Sequence, residues 1–240
     1  MSIIEKIQDV RSRVESAMKR SPYGPRKMII MGASKGQGLN QIREAAEAGI
    51  VDMGENYAQE LMRKAPLTMD VGIRWHFIGR LQSNKLKHIL PFVYSIDSVD
   101  SVELAQRIGR LQTQSENSRT PKPIMLQVNL GHERQKSGLP PDVIENLFGD
   151  FLAEEGVEVV GLMSIPPAHK ETDKMRPYFK QLKELFDRLK SKHSHPERFH
   201  VLSMGMSGDF EVAIEEGSNC IRLGTSIFGP RPQREKNEED

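Results

Sequence analysis

Cysteine is almost missing from this 240-residue chain, which carries one, Cys220. No internal disulfide can form, and such usage fits a reducing compartment. Net charge is almost missing too, with 34 Lys and Arg against 33 Asp and Glu. Nothing in that balance argues for nucleic acid or an anionic membrane surface. No apolar run approaches the roughly 20 residues of a membrane-spanning helix. The charged opening, Met1-Ser-Ile-Ile-Glu-Lys6, has no apolar segment of the signal-peptide kind. The histidines show no metal-ligand spacing, so no metal site is expected. No Walker-type phosphate loop occurs, and the glycines make no dinucleotide fingerprint. The expectation is a cytoplasmic protein with no membrane and no nucleic-acid partner.

What the chain does have is alternation. Ile3, Ile7, Val10, Val14 and Met18 share one helical face. Pro22 and Pro25 end that helix. Eight short apolar runs then alternate with helical patterns. The runs are Met28–Met31, Ile50–Met53, Ile73–Ile78, Phe92–Ile96, Pro123–Asn129, Val157–Met163, Phe199–Ser203 and Asn219–Leu223. Among the helices, Asp173–Lys192 carries the most continuous apolar stripe. Asp100 is placed to cap another, with Glu103 three residues on. Gln112–Lys122 reads as an exposed loop. Eight strand–helix units with short connections predict an α/β fold, a single (β/α)8 TIM barrel with an N-terminal helix. A doubly wound open sheet is the alternative. Residues 1–229 form the barrel domain on this reading, and 230–240 a polar tail. Few residues follow the eighth strand, so the N-terminal helix is expected to stand in for a full closing helix.

Three features lie where strands end, the face on which such barrels bind ligands. Lys35 follows the first strand in Met28-Ile-Ile-Met-Gly-Ala-Ser-Lys35. Desolvation there can lower an amine's pKa, and a neutral amine attacks a carbonyl to form a Schiff base. Alone, it reads equally as a surface loop lysine. The seventh and eighth connections contain Gly205-Met-Ser-Gly208 and Gly224-Thr-Ser226. Glycines, hydroxyls and a helix start can hold a phosphate, and in barrels phosphates often sit after strands seven and eight. Either loop alone is explained by turns and caps. Arg222 is a charge inside an apolar strand, either salt-bridged or facing a ligand. His76 is likewise inside a strand, where a satisfied core histidine is the plain account. Asn56 and Asn84 sit in polar strand-end loops and either orient a ligand or cap a helix. Cys220 reads as core packing. A lysine at one end and an anion cup at the other suggest a phosphorylated aldehyde, with pyridoxal 5′-phosphate (PLP) the candidate.

At these residues the chain resembles the pyridoxal phosphate homeostasis protein family. The matches are Ala33-Ser-Lys35, Gly54-Glu-Asn-Tyr57 with Gln59-Glu60, Trp75-His-Phe-Ile-Gly79 with Leu81-Gln-Ser-Asn-Lys85, Gln127-Val-Asn129 with Lys136-Ser-Gly138, Gly161-Leu-Met163 with Ile165-Pro-Pro167, Leu202–Asp209, and Arg222 with Gly224-Thr225 and Ile227-Phe-Gly229. The resemblance implies a barrel like the N-terminal domain of alanine racemase. It implies Lys35 as the Schiff-base lysine. Ser207, Gly224 and Thr225 would then hold the phosphate, with Ser203 and Met206 nearby. Arg222 would face the pyridine nitrogen, with Asn56 beside the ring. His76 is carried as a further cofactor-binding candidate. In place of the basic or Thr-containing stretch often found after the lysine stands Gly36-Gln-Gly-Leu39, which implies a more flexible connection.

The function implied is intracellular PLP homeostasis without robust catalysis, with PLP and PLP-dependent apoenzymes as partners and a monomer as the expected state. The alternative is a PLP-dependent amino-acid racemase. That is disfavoured because racemases of this type take a tyrosine acid/base from a second domain, for which no room is expected here. A third reading is a barrel that binds another phosphate ligand or a protein.

Overall fold

The computed structural model describes residues 1–114, 120–131, 137–167, 169 and 171–230. The tail 231–240, Lys136 of the matched motifs, and 115–119 of the expected loop lie outside the described residues.

The chain opens with α1 (Ile3–Arg20). Ser2 caps it reciprocally. Its Oγ accepts from Glu5 N–H at 3.2 Å, and its own N–H donates to the Glu5 carboxylate at 2.7 Å. Then follow β1 (Ile29–Ala33), α2 (Leu39–Glu47), β2 (Asp52–Glu55), α3 (Ala58–Lys64), β3 (Arg74–Phe77), α4 (Leu86–Ile89) and β4 (Val93–Val99). The second half runs α5 (Val102–Thr113), β5 (Lys122–Val128), α6 (Pro141–Ala153), β6 (Val157–Ser164), α7 (Arg176–Lys192), β7 (Val201–Met206), α8 (Phe210–Glu215), β8 (Cys220–Leu223) and α9 (Thr225–Phe228). Short 3-10 turns, Ala65–Val71 and Thr172–Met175, follow α3 and precede α7.

All eight strands are parallel and close in sequence order. Closure is made by β1 and β8, with Ile29 opposite Cys220 and Gly32 opposite Leu223. This is the expected barrel. Helix α1 packs on α2, α8 and α9. Its buried face, Ile3, Ile7, Val10, Val14 and Ala17, covers the place a full eighth helix would occupy. The main core lies between strands and helices, around Ile42, Leu61, Ile108, Ile144, Phe179 and Ile214. A second, smaller cluster fills the barrel itself with Met31, Ile78, Met125, Val160, Met163, Val201 and Cys220. No described helix is long and apolar enough to cross a membrane.

Some boundaries differ from the sequence reading for a physical reason. Strand β4 continues past Ile96 through Asp97 and Ser98, both buried. Apolar patterning stops short there because the inner face of this barrel is partly polar. Ser101, not Asp100, caps α5, its Oγ accepting from Leu104 N–H at 3.1 Å. Gln112 is buried in α5, not in an exposed loop.

Packing between β6 and β7 is close enough to require glycine. A Cβ on Gly161 would lie 1.7 Å from the Val201 carbonyl oxygen. Gly161→Ala is therefore expected to destabilise the barrel by about 3 kcal/mol, the upper part of the overpacking range. A urea unfolding midpoint equal to wild type would contradict this.

Candidate functional site

Strands β7, β8 and β1 are consecutive neighbours across the closure. Their C-terminal exits therefore bring Ser207, Gly224-Thr225 and Lys35 to one sector of the barrel mouth. The approach is close: a Cβ on Gly224 would stand 3.9 Å from the Ala33 Cβ. Asn56 leaves the next strand, β2.

The seventh and eighth loops are bonded to each other. Ser207 Oγ accepts from the N–H groups of Gly224 and Ser226, both at 3.2 Å. Thr225 begins α9, where a first-turn N–H has no partner inside the helix. Asp209 Oδ1 accepts from Met206 N–H at 2.6 Å and fixes the seventh turn. Burial pushes the Asp209 carboxyl up, with the Met206 N–H and Arg222 opposing.

The glycines of these loops fall into two kinds. Gly205 has φ +97°, and a Cβ there would meet Ala213 at 2.6 Å, so the fold itself requires it. Gly208 and Gly224 have no such reason. Neither has positive φ, and a Cβ would meet nothing within 4 Å at Gly208 and nothing nearer than 3.9 Å at Gly224. Open space beside the backbone at these glycines, next to the first turn of α9, is what close approach of an anion needs. The residues present therefore fit a phosphate.

Arg222 is buried in β8. Its Nη1 donates to Ser203 Oγ at 2.6 Å, and its Nη2 to the Ser164 carbonyl at 2.7 Å. Burial pulls its pKa down, while Cys220, Asp97 and Asp209 act in the other direction. A guanidinium keeps its charge under such shifts. Arg222 is thus a fixed cation, oriented by Ser203 and by the end of β6. Met206 closes β7 beside it, opposite Arg222 in the strand register.

Lys35 is half-buried, its Nζ 4.7 Å from the centre of the Tyr57 ring. The Glu55 carboxylate accepts from the N–H groups of Asn56 (2.7 Å) and Tyr57 (3.2 Å). Gly79 lets the exit of β3 pass against Asn56, whose carbonyl oxygen would lie 2.1 Å from a Cβ there. A cavity of about 660 Å³ opens beside Asn56 and Tyr57, bounded by Arg80 and Lys85. The connection Gly36–Leu39 makes a turn after Lys35, with hydrogen bonds at Gly36 and Gln37. Gln37 is buried and its N–H donates to the Ser34 carbonyl at 2.9 Å. Gly36, at φ +72°, makes the turn.

His76 is not brought to this mouth. It lies inside the barrel and lines a cavity of about 230 Å³ at the opposite, N-terminal ends of the strands, with Asp52, Tyr94 and His200. Its Nε2 donates to Asp52 Oδ1 at 3.0 Å. Ser95 Oγ is 2.7 Å from Nδ1 and also bonds Asp97. The single hydroxyl proton goes to the Asp97 carboxylate, so Nδ1 must donate to Ser95. Both ring nitrogens then carry protons. Asp97 Oδ2 has no hydrogen bond but lies 3.3 Å from Nδ1, within ion-pair reach. Burial lowers the His76 pKa, but Asp97 and Asp52 more than offset that and raise it to about 9. Burial raises Asp52, but His76 and Arg74 bring it down to about 2.

Asp52, Asp97 and Lys64 are not among the residues that the sequence singles out, and Glu55 appears there only within the matched motif Gly54-Glu-Asn-Tyr57. For Asp97 a signal existed. Ser95 and Asp97 are two apart in a strand, so they share a face. No group of three or more described His, Cys, Asp or Glu residues could hold a metal ion.

Known proteins share this fold and much of this sequence. Residues 6–232 match the family model for the alanine racemase N-terminal domain. A pyridoxal phosphate homeostasis protein of Aquifex aeolicus is 38% identical over 231 residues, 96% of this chain and 99% of that protein. One of Pseudomonas aeruginosa is 35% identical, over 96% of each chain. Among solved structures, PipY of Synechococcus elongatus with PLP bound superposes with a TM-score of 0.81 at 29% identity, covering 95% of this chain and all (100%) of that one.

The His76 cluster sets a pH dependence. A histidine raised from 6.5 to about 9 contributes stability that is complete below pH 6.5 and lost as pH rises through 9. Asp52, lowered from 3.8 to about 2, contributes stability above 3.8 that is lost as pH falls toward 2. Stability is expected to be greatest between those limits and to decline from pH 6.5 to 9. The His76 ring resonances should titrate near the upper value. Titration near 6.5 with a flat stability profile would overturn the assignment.

Proposed function

The chain belongs to the family of pyridoxal phosphate homeostasis proteins, on the alanine racemase N-terminal-domain barrel, and from that premise we propose that it binds PLP and holds it through Lys35. The observation that carries the reading is the shared sector of Lys35, the cradle of Ser207, Gly224 and Thr225, and the fixed cation Arg222. PLP presents an aldehyde, a phosphate and a pyridine nitrogen, one for each. When bound, it supplies an aldehyde that forms a reversible Schiff base with an amine. Lys35 offers that amine. Ser207, Gly224 and Thr225 would take the phosphate, Arg222 would face the ring nitrogen, supported by Ser203 and Met206, and Asn56 would lie beside the ring. His76 stands apart from this set.

A guanidinium does not readily give the pyridine nitrogen a proton, so the ring would be a weak electron sink. That favours holding the aldehyde over transforming a substrate. It suits a carrier that limits free PLP inside the cell and releases it to apoenzymes. Residues 1–229 would act as one binding domain in a cytoplasmic monomer.

Two experiments test the reading. PLP added to the protein should give a visible absorption band that borohydride abolishes, leaving the reduced adduct on the Lys35 peptide; Lys35→Ala should give neither. No band in wild type would return Lys35 to an ordinary loop lysine. Robust racemisation of an amino acid, lost in Lys35→Ala, would replace the carrier by an enzyme. Separately, Gly224→Ala puts a methyl where the phosphate would lie but meets no protein atom closely. Its unfolding free energy should stay within about 0.5 kcal/mol of wild type, while PLP affinity falls about tenfold or more. Unchanged affinity would remove Gly224 from the cradle.

A further inference from the structure

Lys64 ends α3, and its side chain is buried to 1% exposure. Its ammonium has three protons and three acceptors. They are the Ser34 carbonyl at 2.7 Å, Glu55 Oε2 at 2.6 Å and Glu60 Oε2 at 2.6 Å. Each acceptor leads to a loop of the site. Ser34 precedes Lys35, and its hydroxyl also donates to Glu55 Oε2 at 3.0 Å. Glu60 Oε2 accepts the N–H of Gly36, the residue after Lys35, at 3.0 Å. Glu55, itself fully buried, spends its other oxygen on the N–H groups of Asn56 and Tyr57. The Tyr57 ring is the surface against which the Lys35 ammonium lies.

Lys35 is thus held through the residues on both sides of it, and the backbone of Tyr57, whose ring it rests on, is held by Glu55, a partner of the same ammonium. A buried ion pair is a poor source of net stability, since desolvation consumes most of the Coulombic gain. Its bonds are charge-assisted and directional, which makes it a good source of fixed geometry. Burial pushes the Glu60 carboxyl up, but Lys64 and the Gly36 N–H hold it below the ordinary carboxylate range, as expected of an ionised clamp.

We propose that Lys64, Glu55 and Glu60 form a positioning clamp that presets Lys35 for capture of the aldehyde, without touching the ligand themselves. The proposal rests on Lys35 being the attachment amine. Fixing the amine before the ligand arrives removes an ordering cost from binding. It should therefore act on the rate of capture.

Glu60 is the residue to change, because its side chain reaches the edge of solvent at 17% exposure and its removal leaves the Glu55–Lys64 pair intact. In Glu60→Ala the rate constant for growth of the PLP absorption band should fall about tenfold, the scale of one lost charge-assisted hydrogen bond. Glu60→Gln keeps an oxygen for Gly36 and should recover to within about threefold of wild type. Arg43→Ala, which breaks the Arg43–Asp70 pair on the surface, is the control for stability loss and should capture PLP at the wild-type rate. In ligand-free protein, hydrogen exchange at the Gly36 amide should quicken about tenfold in Glu60→Ala, with no change at Ile108 in α5. Wild-type capture by Glu60→Ala, or an equal loss in Arg43→Ala, would overturn the clamp. If wild-type protein forms no adduct on Lys35, the binding reading fails instead. The capture role of the clamp then falls with it, whatever the Gly36 exchange shows.

Discussion

Closure of the sheet between β1 and β8 is the constraint on which the site depends. Lys35 and Gly224 are 189 positions apart in the chain, and only the pairing of Ile29–Gly32 with Cys220–Leu223 makes them neighbours. The same closure sets β7 beside β8, so that one hydroxyl, Ser207 Oγ, can bond two N–H groups of the next loop. In an open sheet the first and last strands would be edges, and the amine and the anion cradle would lie far apart. Helix α1 serves the closure from outside, filling the gap that the four-residue α9 cannot.

The inside of the barrel is unlike the layered apolar filling usual for this architecture. Asp52, His76, Asp97 and Arg222 are all buried there. Asp52 is shared between His76 and Arg74, and Asp97 lies against His76. Arg222 serves the C-terminal mouth and His76 the opposite end, and the Asp97 carboxylate acts electrostatically on both. Methionines fill the remaining space, at Met31, Met125 and Met163. Their flexible thioethers suit the irregular gaps beside polar groups better than branched side chains would. Asp97 thus couples the two ends of the barrel electrostatically.

How much of this the sequence disclosed follows from which signals are local. Eight strand–helix alternations are a repeated pattern, and they survive errors of a few residues at each boundary. Lys35 and Arg222 stood out as charges next to or inside apolar runs, and the two glycine–serine loops stood out by position. The clamp does not stand out as a unit: Glu55 and Glu60 lie within the matched motifs, but Lys64 does not. Lys64 and Glu60 are four apart on a helix, and such a pair ordinarily reads as a solvated surface bridge. Only the tertiary fold reveals that Lys64 is buried and that Glu60 also reaches Gly36. His76 was visible as an anomaly, but which end of the barrel it serves depends on register and depth, to which composition is blind. Strand β4 runs past its apolar stretch for the same reason: Asp97 looks like the end of a strand unless its counter-ion is known.

The composition of the mouth bears on what it can do with a ligand. Ser207, Gly224 and Thr225 offer hydroxyls and backbone N–H groups, which do not titrate near neutral pH. Arg222 does not titrate there either. A catalyst that moves protons on a substrate needs a group whose pKa lies near the working pH and whose proton can leave. The described group with the most strongly raised histidine pKa, His76, is enclosed by Asp52, Ser95 and Asp97 away from the mouth. Asp209, raised by burial, is committed to the Met206 N–H. Among the described residues, Lys35 would offer an amine that can bond an aldehyde reversibly, Ser207, Gly224 and Thr225 a cradle for an anion, and Arg222 a cation that stays charged. Those parts suit the reversible holding of an aldehyde proposed above.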